Sequence, residues 1–354
     1  MAKTTLRRWL ALSAVTMLIV TGCAKSSGAT AEPPSASTAP AASTPASSAP
    51  SAAASVPASV APSAAATVTC KGAGDKGTVQ LMINQWVGAA ANVAVAQCLL
   101  QQMGYKVATN TLAEEVAWQG FATGEVDVIL ENWGHPDLEK KYITDQKLAQ
   151  DAGSNGVTGI IGWYVPGWMV DQYPDITDWH NLNKYASLFK TSESGDKGQF
   201  LGADPTFVQY DQALITNLGL NFVDKFSGSE AATITAFQQA DKNKTPLIGY
   251  FYEPQWFMSE IQLVKVNLPA YTTGCDADPK AIACDYPAYA LDKVVSKKFA
   301  DSGSPAVNLV KKFSWTNEDQ NLVAKYISED KMTPEAAADK WIAANPDKVK
   351  AWIS

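Results

Sequence analysis

Thr78-Val-Gln-Leu-Met-Ile-Asn84, followed by Gln85-Trp86-Val87-Gly88-Ala89-Ala90, decides the fold. The first seven residues are β-rich, and Val93, Ala96, Leu100 and Met103 then recur at helical spacing until Gly104, so the stretch reads as strand, loop and helix. The same order returns downstream. Tyr105 to Thr109 reads as a strand, Glu114 to Ala122 as a helix, and Val126 to Leu130 as a third strand running into Glu131-Asn132-Trp133. Strands alternating with helices predict a parallel sheet, and ligands of such sheets lie beyond the carboxyl ends of the strands. Trp86 and Trp133 fall there. Apolar runs at Gly159–Val165, Phe200–Ala203 and Thr245–Phe251 repeat the pattern. The expectation is an α/β protein of two lobes, parallel-rich sheets flanked by helices, with lobe 1 over 70–175 and 272–354 and lobe 2 over 176–271. Hinges are expected near Val170–Thr177 and Val266–Tyr271. From Asn317 the chain reads as amphipathic helices, one opened by Thr333 as cap with Pro334 at its first position.

Ahead of this folded part, 70–354, lie two segments of different character. Residues 1–22 read as an export signal: Lys3, Arg7 and Arg8 make a positive start, and Trp9 to Val20 form an apolar core too short to span a bilayer. Val20-Thr21-Gly22-Cys23 resembles the bacterial lipobox, which implies a lipid anchor on Cys23. Residues 23–69 are nearly all Ala, Ser, Thr and Pro, with only Lys25 and Glu32 charged, so they form a flexible tether reaching about 35–40 Å. Removing the signal takes the formal charge from −7 to −10, which argues against a nucleic-acid partner. With Cys23 assigned to lipid, Cys70, Cys98, Cys275 and Cys284 form an even set suited to an oxidising compartment. The short Cys275–Cys284 spacing suggests a loop staple, leaving Cys70 to pair with Cys98; four free buried thiols are the alternative.

Most chemistry finds no support. Gly72-Ala73-Gly74-Asp75-Lys76-Gly77 matches the dinucleotide fingerprint but precedes the first strand instead of following one. With only two histidines, His135 and His180, a triad or zinc site has little to draw on, and no cofactor or metal is expected. Glu114 and Glu115 read as a solvated helix face. What the sequence holds in excess is tryptophan, 11 in all, several beside Gly or Pro after strands: Gln85-Trp86-Val87-Gly88, Asn132-Trp133-Gly134 and Gly162-Trp163-Tyr164-Val165-Pro166. Aromatic faces converging on a ligand suit a diffuse cation such as trimethylammonium. A carboxylate on that ligand would be satisfied at the helix start Gly88-Ala89-Ala90, where small residues let backbone N–H groups approach.

Lys76 to Ser354 resembles the glycine betaine/choline-type substrate-binding proteins of ABC transporters, on four motifs: Trp86; Phe121-Ala-Thr-Gly-Glu-Val-Asp-Val128 leading to Asn132-Trp133; Gly202-Ala-Asp-Pro-Thr-Phe207; and Tyr250-Phe-Tyr-Glu-Pro254. The resemblance implies a periplasmic-binding (Venus-flytrap) fold and an aromatic box of Trp86, Trp133, Phe207 and Tyr252, with Trp163 or Tyr164 near another box position; for the ligand's tail the sequence itself offers donors at the helix start, Gly88 and Ala89, and at Thr206. It implies an ABC permease as membrane partner and an extracytoplasmic, monomeric protein. Some choline-specific relatives carry an acidic residue two positions after the first box Trp; here that position is Gly88. Glycine betaine is therefore the expected ligand. Choline, carnitine or proline betaine in the same fold is one alternative, and an exported glycan hydrolase using Glu131 and Glu253 is another.

Overall fold

The computed structural model describes Cys70 and residues 74–354; the signal, Cys23, the tether and the first two residues of the glycine-rich hexapeptide lie outside the described residues. β1 (Thr78–Ile83), α1 (Val87–Gln102), β2 (Lys106–Thr111), α2 (Glu114–Thr123) and β3 (Val128–Asn132) follow the expected order. Alternate residues of β1 and β3 point to opposite faces. Leu81, Val128 and Leu130 join the main hydrophobic core with α1, whereas Met82 and Ile129 join a second cluster built on Trp118 and Phe121 of α2. The sheet is thus covered by helices on both sides. α1 is apolar around most of its circumference, and Ala91, Val95 and Leu99 are fully buried. It packs against β1 and the helices Asn317–Ser328 and Pro334–Ala344, and a helix enclosed in this way has no need of a polar face. Thr333 caps the last of these, its Oγ1 accepting from Ala336 N–H, with Pro334 at the first position.

The remaining strands are β4 (Ala149–Pro166), β5 (Gly198–Gly202), β6 (Phe222–Phe226), β7 (Gly249–Glu253), β8 (Leu263–Lys265) and β9 (Ala288–Ser296). All nine form one sheet, ordered β2-β1-β3-β9-β4-β7-β5-β6, with β8 beside β4. Both ends of this order are parallel: β1 pairs so with β2 and β3, and β5 with β6 and β7. The centre departs from the expected parallel sheet, because β9 runs antiparallel to β3 and β4, and β4 antiparallel to β7 and β8. The physical reason is connectivity. β4 is an 18-residue strand that faces β9 along its first part and β7 along its second, changing partner at Ile160, which is in register with both Ala288 and Glu253. One long strand therefore belongs to both halves of the sheet. The segments expected as hinges lie beside each other: Asn267 N–H donates to the Thr177 carbonyl at 2.6 Å.

Disulfides join Cys70 to Cys98 and Cys275 to Cys284. The first ties the entry of the folded part to α1, and the second closes a nine-residue separation between β8 and β9. On the chain-entropy argument a loop of that size contributes about 2–3 kcal/mol. The Cys275→Ser, Cys284→Ser double variant should lose about that much in urea unfolding, with an unchanged m-value; equal midpoints for variant and wild type would show that the staple contributes nothing.

Candidate functional site

The loops after β1, β3 and β5 and the end of β7 bring side chains to one pocket, lined by Trp86, Glu114, Trp133, Ile161, Phe207, Val208, Tyr250 and Tyr252. The cavity between them is about 20 Å3, little more than one water needs, so the rings stand close together. Its rings meet edge to face. The Trp86 and Phe207 centroids are 5.4 Å apart at 83°, those of Trp133 and Tyr252 5.3 Å at 77°, and those of Phe207 and Tyr252 6.4 Å at 78°. In each such pair the edge of one ring rests on the face of the other, which fixes their relative orientation.

Two indoles are fixed by one carboxylate. Trp86 Nε1 and Trp133 Nε1 both donate to Glu131 Oε1, at 2.8 and 2.9 Å, while Asn92 Nδ2 donates to Glu131 Oε2 at 2.6 Å and to the Gly88 carbonyl at 2.9 Å. Glu131, in β3, is 1% exposed. Burial pushes its carboxyl up to about 7; the two indole hydrogen bonds oppose this, and the charges of Glu230 and Glu114 add to it. The Trp133 ring also needs a glycine opposite. A Cβ on Gly159 of β4 would lie 2.4 Å from Trp133 Cζ3, so the backbone of β4 forms one wall of the ring's seat.

The residues expected from sequence divide into two groups. Trp86, Trp133, Phe207 and Tyr252 line the pocket together. Trp163 lies inside β4, where its Nε1 donates to Asp211 at 2.6 Å and its ring packs 4.4 Å from Phe200 in the main core. Thr206 is exposed, and its N–H and Oγ1 both donate to Asp204 Oδ1. Gly88 and Ala89 are buried in the first turn of α1, and the first N–H of that helix, on Val87, donates to Glu230 Oε2 at 2.9 Å. A side chain placed at Gly88 would meet Gln320 Nε2 at 2.5 Å before any ligand. Thr206 and the Val87 N–H are thus engaged within the protein, whereas the Gly88 and Ala89 N–H groups, in the first turn, have no intrahelical partner.

Glu114, Tyr250 and Glu230 are the functional candidates that sequence reading passed over. Glu115 is exposed, as expected of the pair, but Glu114 is 6% exposed, lines the pocket and holds His135 Nε2 at 2.9 Å. Burial lowers the His135 pKa, yet the hydrogen bond and charge of Glu114 outweigh it and leave the imidazole above its ordinary value. Glu230, at the start of the helix Glu230–Asn243, is held by Tyr252 OH and by Gln255 Nε2 at 2.7 Å. Their signal was position: Glu114 follows the β2 loop, and Glu230 follows the cap residue Ser229, both on the strand-end side of the sheet.

Residues 77–344 match the family described as the substrate-binding domain of the ABC-type glycine betaine transport system. The trimethylamine N-oxide-binding protein of Pelagibacter ubique is 26% identical over 285 residues, which is 77% of this chain and 90% of that protein. Among solved structures, the lactococcal protein crystallised closed with glycine betaine aligns at TM-score 0.62 and 22% identity over 79% of this chain and all of that one. An ABC-transporter choline-binding protein in complex with choline aligns at TM-score 0.62 and 17% identity, over 78% of this chain and 91% of that one. At these identities the structures establish the fold, a two-lobe solute-binding architecture.

A test of the Glu131 clamp follows from proton linkage. With its carboxyl raised from 4.5 to about 7, the folded protein keeps a proton near pH 6 that the unfolded chain has shed. Its contribution is therefore fully present below about pH 4.5 and is lost as pH rises to about 7. Glu131→Gln keeps an acceptor for both indoles and does not titrate. Measured by chemical unfolding, the variant should gain on wild type by on the order of 3 kcal/mol between pH 4.5 and 7.5; a constant gap would show that Glu131 does not titrate there.

Proposed function

Because the chain belongs to the substrate-binding domains of ABC-type glycine betaine transport systems, we propose that it captures a small quaternary-ammonium osmolyte in its aromatic pocket and presents it to the permease of such an importer. The observation that carries this reading is the convergence of Trp86, Trp133, Phe207 and Tyr252 on one small pocket whose lining holds no lysine or arginine. A trimethylammonium head offers no hydrogen-bond donor, so only dispersion and the negative faces of rings can hold it, at about 0.5–2 kcal/mol for each cation–π contact. Glu131, behind both indoles, adds negative charge there in its ionised form.

Glycine betaine is the ligand in the family's description and is the first candidate, with choline, carnitine and proline betaine as rivals. Of the donors that favoured a carboxylate tail, Thr206 is taken up by Asp204, and Glu230 occupies the neighbouring Val87 N–H, which leaves the helix start at Gly88 and Ala89. The hydrolase alternative needs a free acid pair, and both oxygens of Glu131 accept hydrogen bonds inside the core.

Delivery requires two states. The pocket takes Trp86, Glu114 and Trp133 from the β1–β3 side of the sheet and Phe207, Tyr250 and Tyr252 from the β5–β7 side, so relative motion of the halves opens and closes it. β4, changing partner at Ile160, and the pairing of Thr177 with Asn267 are the places where that motion is taken up. The lipid on Cys23 and the tether through 69 hold the domain outside the cytoplasm, at the membrane face where the permease opens.

A thermal-shift screen of quaternary ammonium compounds is the primary test, since a ligand of the native state raises the melting temperature. For each compound that binds, Trp133→Ala should weaken affinity at least tenfold by titration calorimetry and Trp133→Phe less, because phenylalanine keeps a ring face. Unchanged affinity in Trp133→Ala would remove the ring from the site, and no shift with any quaternary amine would refute the proposal.

A further inference from the structure

One carboxylate joins the two walls of the pocket from behind. Glu230 opens the helix Glu230–Asn243, which lies between β6 and β7, and so belongs to the β5–β7 side of the sheet. Its Oε1 accepts from the Tyr252 hydroxyl and from Gln255 Nε2 at 2.7 Å, both on that same side. Its Oε2 crosses over. It accepts from the Val87 N–H at 2.9 Å, on the β1–β3 side and 143 positions away. Val87 begins α1, and the residue before it, Trp86, is both the cap of that helix and a wall of the pocket; Tyr252 is a wall from the other side. The carboxylate therefore links a ring of one half to the backbone beside a ring of the other.

The bond to Val87 exists only while the halves are together, whereas the bonds to Tyr252 and Gln255 lie within one half. Gln255 is itself held, its Oε1 accepting from the Trp256 N–H at 3.1 Å, so Glu230 is aimed before the halves meet and loses little freedom on meeting Val87. The first N–H of a helix has no partner inside it, and Glu230 supplies the acceptor at a place where it is itself buried. A second contact crosses the same gap. Lys325, on a helix packed against α1, places its Nζ 2.7 Å from Glu260 Oε1 in the segment after β7. These two side chains are 39% and 30% exposed, and water and salt screen such a pair. The buried contact is the stronger tie.

We propose that Glu230 is a positioning residue that latches the two halves: by taking the Val87 N–H while it holds Tyr252, it fixes both walls of the pocket relative to each other and sets how long a bound molecule stays. This rests on the reading of the pocket as a site that opens and closes around a small quaternary-ammonium compound, and it names the group that keeps it shut. A latch that forms once the ligand is inside acts on release, so it slows dissociation and leaves association nearly unchanged. Val87 allows the donor to be deleted alone. It is the first residue of α1, where proline is tolerated because its missing N–H is no part of the helix ladder. Trp86 already has the extended backbone that a residue before proline adopts, with φ −138° and ψ 156°.

The probe is the compound among glycine betaine, choline, carnitine and proline betaine that raises the melting temperature most, and stopped-flow tryptophan fluorescence measures its rates. Glu230→Ala should speed dissociation by about tenfold or more while association changes by less than about threefold. Val87→Pro should act in the same direction, and the double variant should be little worse than the worse single one, because both substitutions remove one and the same bond. Glu230→Gln, which keeps one acceptor oxygen, should fall between wild type and Glu230→Ala. Lys325→Ala should change dissociation by less than about twofold. An unchanged dissociation rate in Val87→Pro, or effects that multiply in the double variant, would overturn the latch and leave the quaternary-ammonium reading standing. So would a Glu230→Ala protein that melts earlier yet releases the probe at the wild-type rate. No shift with any of the four compounds would sink both. Where Glu230→Ala fails to fold, Val87→Pro and Glu230→Gln decide the matter.

Discussion

A single buried carboxylate organises the site. Glu131 accepts both indole N–H groups on one oxygen and the Asn92 amide on the other, so the rings that follow β1 and β3 are oriented by a residue of β3 itself. Burying a carboxylate costs several kcal/mol unless its lone pairs are satisfied, and here the groups that satisfy it are the tryptophans it positions. The raised pKa is the sign that compensation is partial. Strain of this kind is commonly retained where function needs a fixed geometry. The second indole is also held by shape, since only a residue without a side chain at 159 leaves room for Trp133.

The two rings could not be placed this way by two independent sheets. β3 and β4 both border β9, and β4 continues to β7, so the ends of β1, β3 and β7 are referenced to one continuous set of ladders. That continuity explains why the centre of the sheet is antiparallel. A strand shared by both halves must be met from each side by chain returning from the other half, and the returning segments are β7 and β9.

Much of this was legible in residue order. β1, α1, α2 and β3 announce themselves through periodicity, and Trp86, Trp133, Phe207 and Tyr252 through their places after or at the ends of strands. Trp163 misled because β4 runs on to Pro166, which makes a residue that looked like loop part of a strand interior. The first half of β4, Ala-Gln-Asp-Ala-Gly-Ser-Asn-Gly from 149, hides behind glycines at positive φ and two shifts of register. β9 hides behind Asp292 and Lys293; the lysine is fully buried, with its Nζ donating to the carbonyls of Lys311 and Phe313. Glu114 and Glu230 were illegible for a related reason. A carboxylate in the first turn of a helix usually faces water, and what buries these two comes from residues distant in sequence, such as Val87 and Glu230, 143 positions apart.

The bond between Cys70 and Cys98 has a mechanical meaning. Any tension applied to the chain ahead of Cys70 reaches the fold through a covalent link to α1 before it reaches β1. Without that link the load would fall on the β1 ladders with β2 and β3, which carry the register that places Trp86. With it, a pull on the chain ahead of Cys70 is passed first to α1, a helix packed on the helices of the C-terminal segment.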